Sequence, residues 1–226
     1  MMHSRNDIGE MIDATRAALI IQGLQNDVFD PSGALFSPAL AEIMAGQRTL
    51  DNIARLAEAV RAGGGVVIYM NYVIEPDGAG QPATAPVFRN FVASGGVRRG
   101  TWGAQPFHGL PPQPGDLVLE KARVNPFYGS MLSPMLEGRG VTTVLPVGTQ
   151  THMGIVAASR YAADAGYRVV VASDATASDE VEKHRATVNY ALVNVAELGA
   201  TAEVVEQLRA ARCLYGNHVV SSSHVV

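Results

Sequence analysis

The chain has 226 residues, 47% of them hydrophobic, and carries a formal net charge of −4 at pH 7. Its basic residues are scattered rather than clustered, which argues against nucleic acid or an anionic membrane as a partner. No apolar run reaches the roughly 18 residues of a membrane helix, and the single cysteine, Cys213, excludes an internal disulfide and fits a reducing compartment, so we expect a cytoplasmic protein.

A chain of this length and composition can bury a complete hydrophobic core, so we expect one domain over residues 1–226. Its core is predicted at about 17–212. The remaining segment, 213–226, has no pattern of core residues, and we expect it to be disordered or to form a subunit contact.

Short apolar runs alternate with helical patterns along the chain, which is typical of a parallel α/β sheet. The predicted strands are at 17–21, 66–69, 116–121, 144–147, 167–172 and 201–205. Helices are predicted from Pro38 to the glycines at 63–65, at 87–92, from Ser130 to Gly138 or Gly140, from His152 to Gly166, and at 180–198. The sequence therefore predicts an α/β doubly wound, six-stranded parallel sheet with helices on both faces.

Polar residues follow the first and third predicted strands at their carboxyl ends, the edge at which parallel sheets bind ligands. The first strand runs into QGLQND, which begins with Gln22 and includes Asn26. This cluster indicates either a polar site or a simple turn, because Asn and Asp also form turns. The third strand ends on Lys121, which is either a solvated charge or a lysine beside a buried site.

Gly154 stands where the fourth strand turns into its helix. A side chain there would face free N–H groups that favour an anion, although the glycine alone is equally consistent with a helix that starts close to a neighbouring strand. Trp102, the only tryptophan, lies between glycines and either forms the wall of a pocket or packs under a loop.

Three segments together resemble the isochorismatase-like hydrolase superfamily over residues 17 to about 205. They are QxxQND after the first strand, a strand-end lysine before NPFYGSML, and VGTQTHMGIVAASRYAADAGYRVVVASD. The resemblance implies the sheet order 3-2-1-4-5-6. In amidase members of the superfamily it also implies a triad, in which cysteine attacks the amide, aspartate moves the proton and lysine supports the charges.

Residue by residue, the resemblance places the aspartate of the triad on Gln22, its lysine on Lys121 and its cysteine on Gly154. Gln22 has no proton to exchange and Gly154 has no nucleophile, so we expect cysteine-dependent hydrolysis to be absent. The isochorismatases in this superfamily also carry glycine at the cysteine position, but they keep the aspartate as the acid.

The resemblance has further implications for the site. The zinc-binding Asp and His residues of nicotinamidases are missing from MNYVIEPDG, so we expect no metal and no cofactor. The bond between Thr149 and Gln150 is expected to be cis. Candidate substrate-binding residues, beside the candidate catalytic residues Lys121, Gln22 and Gly154, are Thr149, Gln150, Thr151, Trp102, Phe127, Tyr128 and Asn26.

Two hypotheses follow for the function. In the first, the protein is a hydrolase acting on a small carbonyl, amide or enol-ether compound by a non-cysteine mechanism, with Lys121 as the charged group. In the second, it is an inactive family member that binds a small ligand. In either case we expect a small-molecule partner and a homo-oligomer, either a dimer or a tetramer.

Overall fold

The computed structural model describes residues 8, 9, 11–82 and 84–216, so most of the predicted tail lies outside the described residues. The strands are β1 (Ala17–Gln22), β2 (Val66–Tyr72), β3 (Leu117–Lys121), β4 (Thr143–Thr149), β5 (Arg168–Ala172), β6 (Thr176–Ala177) and β7 (Glu197–Gly199). Their order in the sheet is β3-β2-β1-β4-β5-β7, with the two-residue β6 paired to β4, and the pairs are parallel. The predicted order 3-2-1-4-5-6 is confirmed, with β7 as the sixth strand in line.

The helices are α1 (Asn26–Phe29), α2 (Pro38–Gln47), α3 (Thr49–Ala62), α4 (Pro86–Ser94), α5 (Leu132–Gly138), α6 (Val156–Asp164), α7 (Val181–Ala186) and α8 (Thr201–Gly216). A π-helical turn, Thr151–Ile155, leads into α6, and a second one, Thr187–Leu192, follows α7. In the described part of the chain, each helix is too short or too polar to cross a membrane.

The centre of the sheet is buried on both faces, because every residue of β1 and of β4 is buried. Side chains alternate between the faces along β1: Leu19 and Ile21 pack on the side of α3 and α8, whereas Ala18 and Ile20 pack on the side of α5 and α6. Burial of one Leu or Ile side chain contributes about 1.5–3 kcal/mol. The ends of β1 and β4 are therefore held firmly at the edge where the polar residues lie.

The single long helix predicted after Pro38 is wrong, because the segment forms two helices, α2 and α3. Arg48 between them has φ 53° and ψ 39°, a left-handed conformation that interrupts the regular helix. The side-chain amide of Asn52, in the first turn of α3, donates to the carbonyl oxygens of Gln47 at 3.2 Å and Asp174 at 3.1 Å. These two bonds tie the first turn of α3 to the end of α2 and to the segment after β5.

The last strand and the long helix before it are wrong in their predicted bounds. Thr201 begins α8, because the Asp174 carboxylate accepts hydrogen bonds from its N–H at 2.8 Å and its hydroxyl at 2.7 Å. The strand is β7 instead, where Glu197 pairs with Arg168 of β5 at 2.7 Å. The segment 180–198, predicted as one helix, instead forms α7, the second π-turn and the first part of β7.

Candidate active site

Hydrogen bonds join the ends of β1 and β3 and the π-turn after β4 at the carboxyl edge of the sheet. Gln22 ends β1, Lys121 ends β3, and Gly154 lies in the π-turn after β4. The Lys121 ammonium nitrogen Nζ reaches across β2 and donates to Gln22 Oε1 at 2.8 Å. Gln22 Nε2 in turn donates to the carbonyl oxygen of Gly154 at 3.1 Å. The structure thus brings together the three residues predicted to be catalytic, whose roles stay predictions.

Lys121 is a buried lysine whose hydrogen-bond acceptors are uncharged. Only 7% of the residue is exposed, and Nζ also donates to the carbonyl oxygen of Val124 at 3.1 Å. No carboxylate in the described ranges forms an ion pair with it. Burial lowers the pKa of Lys121 from its ordinary 10.5 to about 7, because the charged form loses its hydration. The amine therefore exchanges a proton close to neutral pH.

Gln22 fills the space beside Gly154 with an amide that is satisfied on both sides. The residue is fully buried, its oxygen accepts from Lys121 and its nitrogen donates to Gly154. A Cβ atom on Gly154 would lie 3.1 Å from Gln22 Oε1, so a side chain there requires a shift of a few tenths of an ångström. The carboxamide of Gln22 does not ionise near neutral pH, so proton transfer in this group falls to Lys121.

Lys121 and Gly154 open into a cavity of about 170 Å³ between β1, β2, β4 and the loops that follow them. Its walls are largely apolar, and Lys121 is the one formally charged residue among the described residues that line it. The lining residues are Gly23, Gln25, Val28, Leu35, Ser37, Leu40, Tyr72, Phe91, Val97, Lys121, Val124, Thr149, Gln150, Met153 and Gly154. A mostly apolar cavity lined by a few polar groups is typical of a small-molecule site.

Two aromatic rings meet in this cavity wall. The rings of Tyr72 and Phe91 stack with their centroids 4.5 Å apart. The Tyr72 hydroxyl donates to Gln81 Oε1 at 2.9 Å, and burial raises the pKa of this tyrosine to about 12. Tyr72 therefore stays neutral at physiological pH and contributes surface rather than charge.

The turn between β4 and the first π-turn supplies the other polar part of the lining. Thr149 and Gln150 both line the cavity, and the peptide bond between them is cis, as predicted. Gln150 Oε1 accepts from the backbone N–H of Asp179 at 3.2 Å, which ties the turn to the segment after β6. Within the turn, the Gln150 carbonyl oxygen accepts from the N–H groups of Met153 at 3.0 Å and Ile155 at 3.3 Å, so both groups are already bonded.

Three other candidate substrate-binding residues are buried outside this cavity lining. The Thr151 hydroxyl lies 2.9 Å from His184 Nδ1, and Phe127 packs in the core with its ring centroid 4.8 Å from that of Tyr161. Asn26 closes a loop instead, because it donates to the carbonyl oxygen of Trp102 at 2.9 Å and accepts from the N–H of His108 at 2.9 Å.

The last two candidates, Trp102 and Tyr128, are exposed by 45% and 65% and do not line the cavity. The glycine-flanked tryptophan stacks on His108 with 6.2 Å between ring centroids. All five residues thus lie outside the cavity lining, and substrate binding by any of them stays an untested prediction.

Sequence reasoning missed the residues that shape the cavity. Gln25 lines it, and its amide accepts from the N–H of Tyr72 at 2.7 Å and donates to the carbonyl oxygen of Ala104 at 2.8 Å. Asp27 accepts from the N–H of Val97 at 2.6 Å and from that of Ala34 at 3.0 Å, so it holds two loops that carry wall residues. Both residues lie in QGLQND, and this motif was the available signal.

Cation-binding groups do not gather at this site. Over residues 8, 9, 11–82 and 84–216, no group of three or more His, Cys, Asp and Glu side chains is arranged to hold a metal ion.

Comparison with known proteins gives a consistent picture. A family model described as the isochorismatase domain matches residues 17–205. The ureidoacrylate amidohydrolase RutB of Variovorax paradoxus (strain S110) is 29% identical over 182 residues, covering 73% of this chain and 70% of that protein. A second protein of that name, from Methylorubrum extorquens (strain DSM 6343 / CIP 106787 / DM4), is 30% identical over 177 residues, covering 73% and 71%. A cysteine hydrolase from Pseudomonas syringae pv. phaseolicola 1448A has the same fold, with a TM-score of 0.79 at 24% identity over 93% of this chain and 100% of that one.

Proposed function

The chain belongs to the isochorismatase family, and we propose that within this family of hydrolases it acts without a cysteine, with Lys121 as the group that transfers the proton. The substrate is a small compound with an enol-ether, carbonyl or amide group. The observation that carries the proposal is the position of Lys121: it is buried, it has two uncharged acceptors, and it opens into an apolar cavity.

Lys121 is suited to proton transfer because burial brings the pKa of its ammonium to about 7. A general acid or base works best when its pKa lies near the working pH. In an enol ether, the ammonium would donate a proton to the terminal carbon of the double bond, and water would add to the resulting oxocarbenium carbon. The hemiketal that forms breaks down to a carbonyl compound and an alcohol, and the neutral amine recovers its proton from the added water.

This chemistry fits a site without a nucleophile. Gly154 offers no atom for a covalent intermediate, and the only cysteine of the chain is at position 213. Acid-catalysed addition of water needs a proton donor and room for water, and the cavity that Lys121 lines provides that room.

The cavity favours a substrate with a compact, mostly apolar body. An apolar cavity of about 150 Å³ holds a molecule of the size of benzene, and this one measures about 170 Å³. Because Lys121 is the one formally charged lining residue, a compound with two carboxylates would leave one of them without a counter-charge. Amides belong among the compounds to test, because two relatives are named ureidoacrylate amidohydrolases.

A ligand-binding protein without activity is the alternative function, and Gln22 favours it. The residue implied to be an acid by the family resemblance is here an amide that is fully bonded to Lys121 and Gly154. In this alternative the cavity would bind the same class of compound, with Lys121 as a hydrogen-bond donor, and no product would form.

Turnover of a compound panel distinguishes these functions. Small enol ethers, esters and amides with one apolar group would be incubated with the wild-type protein, Lys121→Met and Lys183→Met, with product detected by mass spectrometry. Removal of a general acid costs roughly 10²–10⁴-fold in rate, so Lys121→Met should lose activity by that factor. Lys183, the other lysine of the chain, lies on α7 outside the cavity lining, and its variant should keep activity. Binding without turnover across the panel would support the alternative function.

A further inference from the structure

Lys121 has two hydrogen-bond acceptors among the described residues, which is the number that a neutral amine can use. An ammonium has three N–H groups to donate, whereas a neutral amine has two and a lone pair. Nζ has two acceptors among the described residues, Gln22 Oε1 at 2.8 Å and the Val124 carbonyl oxygen at 3.1 Å. Both N–H groups of the neutral form are therefore bonded, and the remaining position on the nitrogen is the lone pair.

That lone pair belongs to a residue that borders the cavity. Lys121 is among the residues that line the cavity. Gln22, its hydrogen-bond acceptor at 2.8 Å, is fully buried and does not line the cavity. No carboxylate of the described chain lies within ion-pairing distance to hold the amine in its charged form. A lysine without a counter-ion in an apolar pocket can act as a nucleophile toward a carbonyl carbon.

We propose that Lys121 forms a reversible imine with small, uncharged aldehydes and ketones that enter this cavity. The lone pair of Nζ attacks the carbonyl carbon, a C–N bond forms, and the carbonyl oxygen becomes the hydroxyl of a carbinolamine. The C–O bond then breaks, and the oxygen leaves with the two amine protons as one molecule of water. When the imine takes up a proton, it has one N–H, for which Gln22 Oε1 is the nearer acceptor.

The cavity sets the class of compound. Its walls, which include Leu40, Phe91 and Val97, match an apolar body of about the size of benzene. A carbonyl compound that also carries a charged group would find no counter-charge beside the neutral amine among the described lining residues. This inference rests on the position of Lys121 and does not require the hydrolysis proposed above, although a carbonyl compound is also what enol-ether hydrolysis would release.

The chain contains a built-in comparison, because it has two lysines, Lys121 and Lys183. Lys183 is partly exposed and pairs with Glu180 at 2.7 Å and Asp179 at 3.2 Å. The hydrogen bond to Glu180, with further support from Asp179, raises the pKa of Lys183 above its ordinary value. Its amine is thus almost wholly protonated at neutral pH, and a protonated amine does not attack a carbonyl.

Reductive trapping tests the proposal on the untagged wild-type protein. The protein is incubated with benzaldehyde at pH 7 in the presence of sodium cyanoborohydride, which delivers hydride to the imine carbon and fixes a secondary amine. Peptide mass spectrometry then measures the benzyl adduct at each lysine and at the amino terminus. The expected result is at least tenfold more adduct at Lys121 than at Lys183, since the neutral fraction of a lysine falls tenfold for each unit that its pKa lies above the pH.

Two controls separate capture in the cavity from general reactivity. 9-Anthraldehyde, which is too large for the cavity, should lose the preference for Lys121 while still modifying accessible amines. Lys183→Met should keep the benzyl adduct at Lys121, and Lys121→Met should lose it. Equal modification of both lysines by benzaldehyde, or modification of Lys183 and the amino terminus alone, would overturn the proposal whether or not the protein hydrolyses any compound.

Discussion

Replacement of Lys121 by methionine should change how the stability of the protein depends on pH. Methionine keeps most of the apolar stem and removes the amine. In the folded protein the pKa of Lys121 is about 7, and in the unfolded chain it returns to about 10.5. Between these values the unfolded chain binds a proton that the folded protein does not bind, so the stability of the wild type rises with pH.

The size of the effect follows from the two pKa values. Their separation of about 3.5 pH units corresponds to about 5 kcal/mol, because each unit is about 1.4 kcal/mol. This destabilisation by the buried charge is fully present below pH 7 and disappears as the pH rises toward 10.5. Between pH 6 and pH 9, the wild type should therefore gain about 3 kcal/mol in its free energy of unfolding relative to Lys121→Met.

The loss of hydrogen bonds lowers the free energy of unfolding of Lys121→Met by an amount that is independent of pH. Lys121→Met leaves Gln22 Oε1 and the Val124 carbonyl oxygen without their donor, at about 1–3 kcal/mol for each unsatisfied group. The prediction therefore concerns how the stability difference between the two proteins changes with pH. As the pH falls, the free energy of unfolding of Lys121→Met should rise relative to that of the wild type.

Urea unfolding at pH 6, 7, 8 and 9, followed by circular dichroism, measures this difference. Tyr72 in the same cavity has a pKa of about 12 and does not titrate in this range. Burial lowers the pKa values of His152 and His184, and because both histidines are present in both proteins their contribution cancels. Lys183→Met should give a curve parallel to that of the wild type. Parallel curves for the wild type and Lys121→Met would refute the reasoning, because they would mean that Lys121 keeps its ordinary pKa when folded.

Three further predictions concern the partners of Lys121 and the fold around it. In a Cys213→Ser background, the double variant Gly154→Cys with Gln22→Asp should hydrolyse small amides faster than Gly154→Cys alone, because a carboxylate at position 22 can take up the thiol proton and return it to the leaving amine, which the amide of Gln22 cannot do. Equal rates would contradict this role of position 22. Gln22→Glu places a carboxylate where Gln22 Oε1 now lies, 2.8 Å from Nζ, so it should raise the pKa of Lys121 by at least one unit. Any fall of kcat/KM at alkaline pH should then move upward by the same amount. An unmoved pH profile would exclude Lys121 as the titrating group. Asp174→Ala removes the acceptor of the first N–H of α8 and should lower the free energy of unfolding by about 1–2 kcal/mol in urea titrations, and a change below 0.5 kcal/mol would contradict the capping role.

Much of the sheet could be predicted because its strands are short apolar runs that are buried on both faces. Val144 to Val147 and Ala17 to Ile21 carry that pattern within a few residues, so local sequence was sufficient. The position of Lys121 at a strand end placed it at the ligand-binding edge. Its contact with Gln22 does not follow from the strand order alone, because β2 lies between β3 and β1 and the lysine side chain reaches across it.

The parts that sequence reasoning missed depend on contacts between distant residues. The three-residue β7 is fixed by the pair between Glu197 and Arg168, and the start of α8 by Asp174, each 27 or more positions away along the chain. Part of the cavity wall comes from two loops that Asp27 holds together. Its carboxylate accepts from the N–H of Ala34 and from the N–H of Val97, which is 70 positions away along the chain. Periodicity within a segment carries no information about such contacts.

Titration of the two lysines by NMR tests the central claim most directly. Protein labelled with 13C at the lysine ε carbon should give two signals, since the chain has only Lys121 and Lys183, and Lys183→Met assigns them. The account predicts that the Lys121 signal titrates near pH 7 and the Lys183 signal above 10.5. If both signals titrated above pH 10, Lys121 would be an ordinary ammonium at neutral pH, and both its role in proton transfer and its capture of carbonyl compounds would be contradicted.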